Sequence, residues 1–574
     1  MGAFRASSLF PLYVIIFISA IAMLPVWWFG LPVNAHDTKA HASWQYFFSL
    51  QLWEGDLYPR WLAGMNEGFG SPSFYIYPPL SQYAAAILAP FSDSAAWVYQ
   101  RLGIAATAAY LIGGVGAYLW FLKVTQDRIS ALLGSIVFLL APYHLLTDTY
   151  IRAAYAELWA FAWAPFSLLA VHLFRENLGK ALIMYTGATA ALLLSHAPSC
   201  IALLPAYVAY AAVLSVIYKD KRIVLWTLAA TFLAVLVSGG YLGTALTHQK
   251  YINSASLFSG YYDFFRWFLL SEERWPSSGI EMVIAGTALT QCGAAALFGF
   301  IAARRAARGS MGQKLAWFSI FISFAILFMV SVFSKPIWGF IPLIQKIQFP
   351  WRLFTTQTAF LALACALFVQ SVRSGSAVAR TGVLTYLMGL FIALLIIINA
   401  GLIVSSKPGF IHSSPLRVRD TPEYHLGSIN GSKLLFEGNE KAKLIAGKGS
   451  VKVEVLAPRY IRLHVDAETD MTFIVRHFNY PEWRCTTPAG QSDCKVGQFE
   501  DHRPIITVST TPGTRTIELE LSTTAERVGY LASIIGILLV ISLCLIDYFV
   551  KRNNKRRRGA SRAESSDARL RESI

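Results

Sequence analysis

The chain has 574 residues, 55% of them hydrophobic and only 14% charged, and its mean hydropathy is +0.48. Those proportions exclude an ordinary water-soluble protein. The net charge of +16 does not read as a nucleic-acid signature, because the basic residues sit in short loops between apolar runs, as the positive-inside rule expects.

About twelve apolar runs reach the ~20 residues that cross a bilayer as a helix. In chain order they lie near 8–30, 96–121, 129–146, 157–174, 181–196, 199–217, 223–245, 279–302, 315–333, 354–372, 381–405 and 528–550. The first run follows Arg5 and exceeds the apolar core of a signal peptide, so it reads as a retained anchor. Lys123 and Arg128, Arg175 and Lys180, Lys219 to Arg222, Arg304 to Lys314, and Arg373 to Arg380 fall in alternate loops. The tail adds Lys551, Arg552 and Lys555 to Arg558. With a cytoplasmic N-terminus all of these share one side, which predicts an even count and a cytoplasmic C-terminus.

The opposite side then receives the segments 31–95, 147–156, 246–278, 334–353 and 406–527. From His36 the first reads HDTKAHASWQYFFSLQLWEGDLYPRW and continues LAGMNEGFGSPSFYIYPPL. So many charges, aromatics and glycines have no packing reason to follow a span, and polar groups at such a boundary usually line a path or a reaction site. Ser43 to Trp53 reads as a juxtamembrane helix. Segment 261–275, YYDFFRWFLLSEERW, suits a helix lying in the interface. The prolines of 334–353, SKPIWGFIPLIQKIQFPWRL, break any long helix and predict an interfacial or re-entrant connection.

From about Pro415 to Glu526 the pattern becomes that of half-buried strands. Val451, Val453 and Val455 alternate with Lys452 and Glu454; Ile461, Leu463 and Val465 with Arg462 and His464; Ile517, Leu519 and Leu521 with Glu518 and Glu520. A small external β-sandwich is expected there, between the last two spans. Cys485 and Cys494 bracket TTPAGQSD in this segment. In an oxidising compartment they form a disulfide; two free thiols are the alternative. Cys200, Cys292, Cys365 and Cys544 lie in apolar runs and read as packing residues. The whole divides into a transmembrane module 1–405 with external loop 31–95, a β-rich domain 406–527, a last helix 528–550 and a basic, disordered tail 551–574.

Asp37 is the leading candidate for chemistry. A carboxylate at the external boundary suits a general base that takes a proton from a hydroxyl. The plainer reading is a helix N-cap. His36 and His41 flank it. Histidines beside a carboxylate also suit a divalent cation, but no CxxC or HExxH spacing appears, so no cofactor is assigned and a cation stays open. Arg60 in LYPRW, Arg152 in TYIRAAYAELWA, and Arg352 with Lys346 in QKIQFPWRLF stand on the side that disfavours arginine. Guanidinium forks bind phosphate. Head-group anchoring or an ion pair, Arg152–Glu157 above all, is the alternative. His196 in LLLSHAPSC suits substrate orientation or a helix cap. Tyr75 and Tyr77 suit a groove wall for a sugar or lipid chain, or an interfacial aromatic belt.

Taken together, HDTKAH, LYPRW with GFGSPSFYIYPPL, RAAYAELWA, LSHAP, FPWRLF and FNYPEWRC resemble the GT-C superfamily of integral-membrane glycosyltransferases. They are most similar to YfhO-like bacterial membrane proteins and to "6-pyruvoyl-tetrahydropterin synthase-related, integral membrane" proteins. The resemblance covers nearly the whole chain apart from the tail. It implies a polytopic α-helical fold in a bacterial inner membrane, a polyprenyl-phosphate-linked sugar as donor, and an envelope lipid, glycan or protein as acceptor. It implies inverting transfer with Asp37 as base. Arg352, with Arg60 or Arg152, would meet the phosphate. The rival expectation is a lipid or polysaccharide transporter, or an assembly protein without catalysis.

Overall fold

The computed structural model describes residues 2–91, 94–271, 280–374, 378–406, 409–410, 416, 418–426, 429–487, 494–500 and 503–572. Among them, ten helices are long and apolar enough to cross a membrane: Ala96–Thr125, Arg128–Ile151, Tyr155–Glu176, Leu178–Ser195, Ala197–Tyr218, Glu281–Arg305, Met311–Val330, Pro350–Arg373, Val383–Ser405 and Thr524–Asn554. The chain is a multi-pass membrane protein. Nearly all of Arg128–Ile151 and Pro350–Arg373 is buried, so these form the centre of the bundle, while Thr524–Asn554 lies at its rim. Close approach at the centre depends on small residues: a Cβ on Gly134 would sit 2.7 Å from the Ala366 Cβ.

Two expected spans differ from a single straight helix. The first run is divided at Met23 into Gly2–Ala22 and Leu24–Phe29, with Pro25 opening the second piece. The run near 223–245 forms Arg222–Val237 and Gly239–Thr247, which meet at 74°. Ser238, Gly239 and Gly240 stand at the break, where helix propensity is poor. The bend brings the second piece against the last helix; a Cβ on Gly239 would lie 2.7 Å from the Gly529 carbonyl oxygen.

Segment 261–275 is not the interfacial helix its composition predicts. Its described part forms short 3-10 turns at Gly260–Tyr262 and Phe264–Trp267. Its aromatics pack instead on 334–353, with Phe264–Trp338 centroids 5.7 Å apart and Trp267–Trp351 4.8 Å. Segment 334–353 is broken by its prolines into Lys335–Phe340, Pro342–Gln345 and Pro350–Leu353, as expected. The last helix runs on to Glu572 through the lysines, arginines and alanines expected to be disordered, residues of high helix propensity.

The C-terminal domain is a sandwich of two antiparallel sheets. Its strands are β1 (Ala442–Ala446), β2 (Gly449–Ala457), β3 (Tyr460–Ala467), β4 (Met471–Phe478), β5 (Trp483–Thr486), β6 (Cys494–Glu500), β7 (Arg503–Thr510) and β8 (Gly513–Leu521). One sheet has the order β1-β4-β7-β6 and the other β2-β3-β8-β5. Ile461, Leu463 and Val465 point inward against Ile517, Leu519 and Leu521, so the period-two pattern became the core. Cys485 and Cys494 form a disulfide, with Cα atoms 6.0 Å apart. It ties β5 of one sheet to β6 of the other.

This domain shares a core with loop 31–95. Trp61 stacks on His477 with centroids 4.8 Å apart and planes at 14°. The Phe478 backbone N–H donates to the Phe69 carbonyl at 2.9 Å. The link before β1 is clamped by buried Asp420, whose carboxylate accepts from Trp44 Nε1 at 2.9 Å, Ser73 Oγ at 2.7 Å and Ser71 Oγ. A buried carboxylate with that many donors is satisfied. It holds the following turn, Pro422–Tyr424, over the helix that starts after Asp37; Tyr424 and Trp44 lie 5.5 Å apart.

Candidate active site

Asp37 occupies the N-cap position of the helix Thr38–Trp53. Its φ of −101° and ψ of −7° lie in the helical region, and its side chain makes no capping hydrogen bond. Capping residues normally hold extended angles, which aim the side chain back at the first turn. The cap is therefore in place by position and unused by chemistry. The Asp37 backbone N–H instead donates to the Arg152 carbonyl at 2.9 Å. Among the described residues no hydrogen bond or ion pair engages the half-buried carboxylate. Its charge acts on His41, Tyr77, Arg152, Arg352 and Glu423.

Behind it lies a buried charge network that a local irregularity builds. After Pro142, residues Tyr143–Ile151 wind as a π-helix, closed by Arg152 N–H to the Thr147 carbonyl at 2.9 Å. The wider turn is frequent at functional sites. Ala153 then takes φ = +49°, a strained value for a residue with a Cβ. The result turns Asp148 and Arg152 toward Glu157. Arg152 Nη1 donates to Asp148 at 2.6 Å and to Glu157 at 2.9 Å. Glu157 also accepts from the Tyr143 hydroxyl at 2.9 Å and the Thr355 hydroxyl at 2.8 Å. Arg352 Nε stands 3.7 Å from it. Two acids and two guanidiniums thus balance in the dark of the bundle, which is the condition for burying them.

The two arginines have different duties. Arg152 is held by both carboxylates, so the ion-pair reading of Arg152–Glu157 is the realised one. Arg352 gives Nη1 to the Ile347 carbonyl at 3.0 Å and to Gln348 Oε1 at 3.1 Å. Its Nε is buried without a hydrogen bond, and no described residue takes one from Nη2. That leaves fork capacity for an anion.

The other expected residues divide. His41 is buried among Trp44, Tyr77 and Tyr155, with centroids 5.6–6.0 Å away. Burial pushes its imidazole down to about 4, against the pull of Asp37, so it is a neutral wall. Tyr77 belongs to the site through its contact with His41, but Tyr75 faces away and stacks on His248 at 5.4 Å. His196 caps the helix Ala197–Tyr218 through Nδ1, with Ser199 Oγ at 2.7 Å, and its charge state is felt by Glu157. His36 is exposed and its backbone N–H donates to the Ile151 carbonyl. Lys346 is exposed, with its ammonium 4.7 Å from the Phe258 ring centre.

Arg60 is not brought to this cluster. It is fully buried against the last helix, paired with Glu526 at 2.9 Å and donating to Thr244, Gly240 and Tyr530. Its donors serve the joint between loop 31–95 and the end of the β domain. Glu526 in turn makes a capping box with Thr523.

Sequence reasoning passed over Tyr143, Asp148, Thr355 and Glu423. Asp148 carried a signal, as the one carboxylate inside the apolar stretch 129–151. Glu423 carried none. Burial, with the charges of Asp420 and Asp37, pushes its carboxyl up. Among the described residues no three His, Cys, Asp or Glu side chains group to hold a metal ion. Two cavities, of about 200 Å³ beside Trp267 and Met282 and about 320 Å³ beside Arg459 and Glu520, lie outside the cluster.

No family model matches the chain, and no curated protein does. Among solved structures it is similar to the arabinofuranosyltransferase AftD from Mycobacteria, at 17% identity and a TM-score of 0.41, over 70% of this chain and 28% of that one. It is also similar to ArnT from Cupriavidus metallidurans bound to undecaprenyl phosphate, at 11% identity and a TM-score of 0.27, over 63% of this chain and 78% of that one. The chain thus spans just over a quarter of the length of the arabinofuranosyltransferase. Likeness at this level assigns neither a reaction nor a substrate.

Proposed function

We propose that the chain is an integral-membrane glycosyltransferase of a bacterial inner membrane. It moves a sugar from a polyprenyl-phosphate donor to an envelope lipid, glycan or protein on the side of the β domain, with both termini in the cytoplasm. Asp37 takes the proton of the acceptor hydroxyl. The freed oxygen attacks the anomeric carbon, the bond from that carbon to the phosphate oxygen breaks, and the lipid phosphate departs with the electron pair. The sugar inverts. Arg352 stabilises the charge that grows on the leaving phosphate. Arg152 is a positioning residue, through the carbonyl that holds Asp37 and the carboxylates that flank Arg352.

The observation that carries this reading is the Asp37 carboxylate, unengaged at the mouth of a buried charge network that includes Arg352. Asp37→Asn keeps the shape and cannot accept a proton at neutral pH; loss of a general base costs about 10²–10⁴-fold in rate. Arg352→Lys keeps the charge and loses the fork. The test is glycan transfer in vivo by variants present at wild-type level, read by mass spectrometry of envelope lipids and glycans. Normal transfer by Asp37→Asn would leave Asp37 as a cap only, remove it as the base, and favour the transporter or scaffold reading.

One observation favours the transporter reading: Asp148 and Glu157 are completely buried within membrane helices, where transporters bind their cargo. Both nevertheless stand at helix ends, three residues before Ile151 and two after Tyr155. That is the level of the boundary rather than the midplane, and it supports interfacial chemistry.

A further inference from the structure

The helix Met311–Val330 presents Trp317, Phe321, Phe324 and Phe328 to the outside. Steps of four, three and four residues put them on one face, the face a membrane helix turns to lipid. The stripe does not stop where the helix stops. It continues onto the short helices after it, through Phe333 (68% exposed), Ile337, Phe340 (86%) and Leu343 (63%).

The opposite side of that segment is docked and stiff. Trp338 and Ile347 are buried against Phe264, Phe268 and Ala202. Trp338 Nε1 donates to the Met329 carbonyl at 3.0 Å, Gln345 Nε2 to the Trp338 carbonyl at 2.8 Å, and Ser334 Oγ to the Met329 carbonyl at 2.8 Å. The apolar outer face is therefore held outward. Soluble surfaces rarely expose a contiguous patch of this kind, and a patch continuous with a lipid-facing stripe has lipid as its natural cover. The segment then leads directly to the carbonyl of Ile347 and the side chain of Gln348, the two groups that hold Arg352 Nη1.

We propose that the segment Val332–Gln345 is inserted in the hydrocarbon of the leaflet on the β-domain side, without crossing it, and thereby sets Arg352 at the depth of the lipid head-group phosphates. The occupant of this surface is the bilayer leaflet itself. The inference stands whether or not the chain transfers sugar.

A matched pair of residues tests it. Leu434, in the turn before β1, is also 86% exposed and lies on the domain placed in water. In a Cys544→Ser background, spin labels on Phe340→Cys and on Leu434→Cys are compared in the full chain. The chain is reconstituted in vesicles of phosphatidylcholine and phosphatidylglycerol. Oxygen concentrates in lipid and a nickel chelate in water. We expect the label at 340 to collide several-fold more with oxygen than with nickel, and the label at 434 to show the reverse. Equal nickel access at the two positions would overturn insertion. Protection of 340 from both reagents would also overturn it, because a second copy of the chain would then be the cover. The depth of Arg352 is read from a label on Lys346→Cys. Comparable access to both reagents is expected there, and access to one alone would overturn the depth assignment.

Discussion

Asp37 hangs from Arg152 by a backbone hydrogen bond of 2.9 Å, while the Arg152 side chain pairs with Asp148 and Glu157. The carboxylate proposed to do chemistry is thus positioned by the same residue that anchors the buried charges.

That arrangement makes Glu157 the keystone of the site's stability. Glu157→Ala leaves Arg352 with no carboxylate and strips Arg152 of one of its two. Breaking a buried pair by removing one partner costs about 3–5 kcal/mol. Thermal unfolding of the purified protein should shift down accordingly. The double variant Glu157→Gln with Arg352→Gln should recover part of the loss. If the double variant is no better than Glu157→Ala, the network is held by packing and not by charge.

The disulfide should matter to the sandwich alone. Closing a loop of ~15 residues contributes about 3 kcal/mol in the entropy model, and the separation of 9 here somewhat less. Cys485→Ser is expected to loosen the two sheets and raise proteolysis of the domain while the membrane helices stay folded. Thiol labelling of the unreduced, unfolded wild-type chain should find neither Cys485 nor Cys494; stoichiometric labelling of both would remove the bond.

Topology is open to a direct check. Reporter fusions after Gly431 and after Lys551 should report opposite sides of the membrane, with the latter cytoplasmic. The same side for both would displace Asp37 from the face where the donor is proposed to bind.

Acid should undock the β domain. Burial against Trp61 and Trp483 pushes the His477 imidazole down from 6.5 to about 4. Between those values the unfolded chain binds a proton that the folded one refuses. The contribution is therefore complete above about pH 6.5 and is lost as pH falls toward 4, a swing on the order of 3 kcal/mol. Hydrogen exchange in β4 should accelerate between pH 7 and pH 5 relative to the intrinsic rate. His477→Gln should flatten that dependence. An unchanged slope in the variant would assign the effect to other groups.

The parts of this molecule legible in its sequence are those with a short period or a short range. Alternation along 461–465 and 517–521 placed the sandwich core, and nine residues of spacing placed the disulfide. Hydropathy placed the spans, except at the first run, which divides at Met23, and where Ser238–Gly239–Gly240 let another bend. The segment around Asp37 was singled out for its composition, and the structure brings His41 and Tyr77 together beside it. The π-helix was not legible, because one extra residue in a turn leaves no mark in composition; it is nonetheless what turns Asp148 to Arg152. Arg60 was read as a candidate phosphate ligand because it stands on the side that disfavours arginine, with head-group anchoring or an ion pair as the alternative. Its partner hydroxyl, Tyr530, lies 470 residues further on, and no local pattern reaches that far.

The clamp on Asp420 has a consequence for the birth of the protein. Ser73 and Asp420 are 347 residues apart, and the domain that follows is complete only with β8, just before the final helix. At ~5–20 residues per second a ribosome needs roughly 20–70 s to cover that interval. Throughout it, the loop bearing Asp37 stands without the turn Pro422–Tyr424 that packs on Trp44 in the finished chain. The proposed site is consequently incomplete until most of the chain has been made, and a product truncated before Asp420 lacks the clamp altogether.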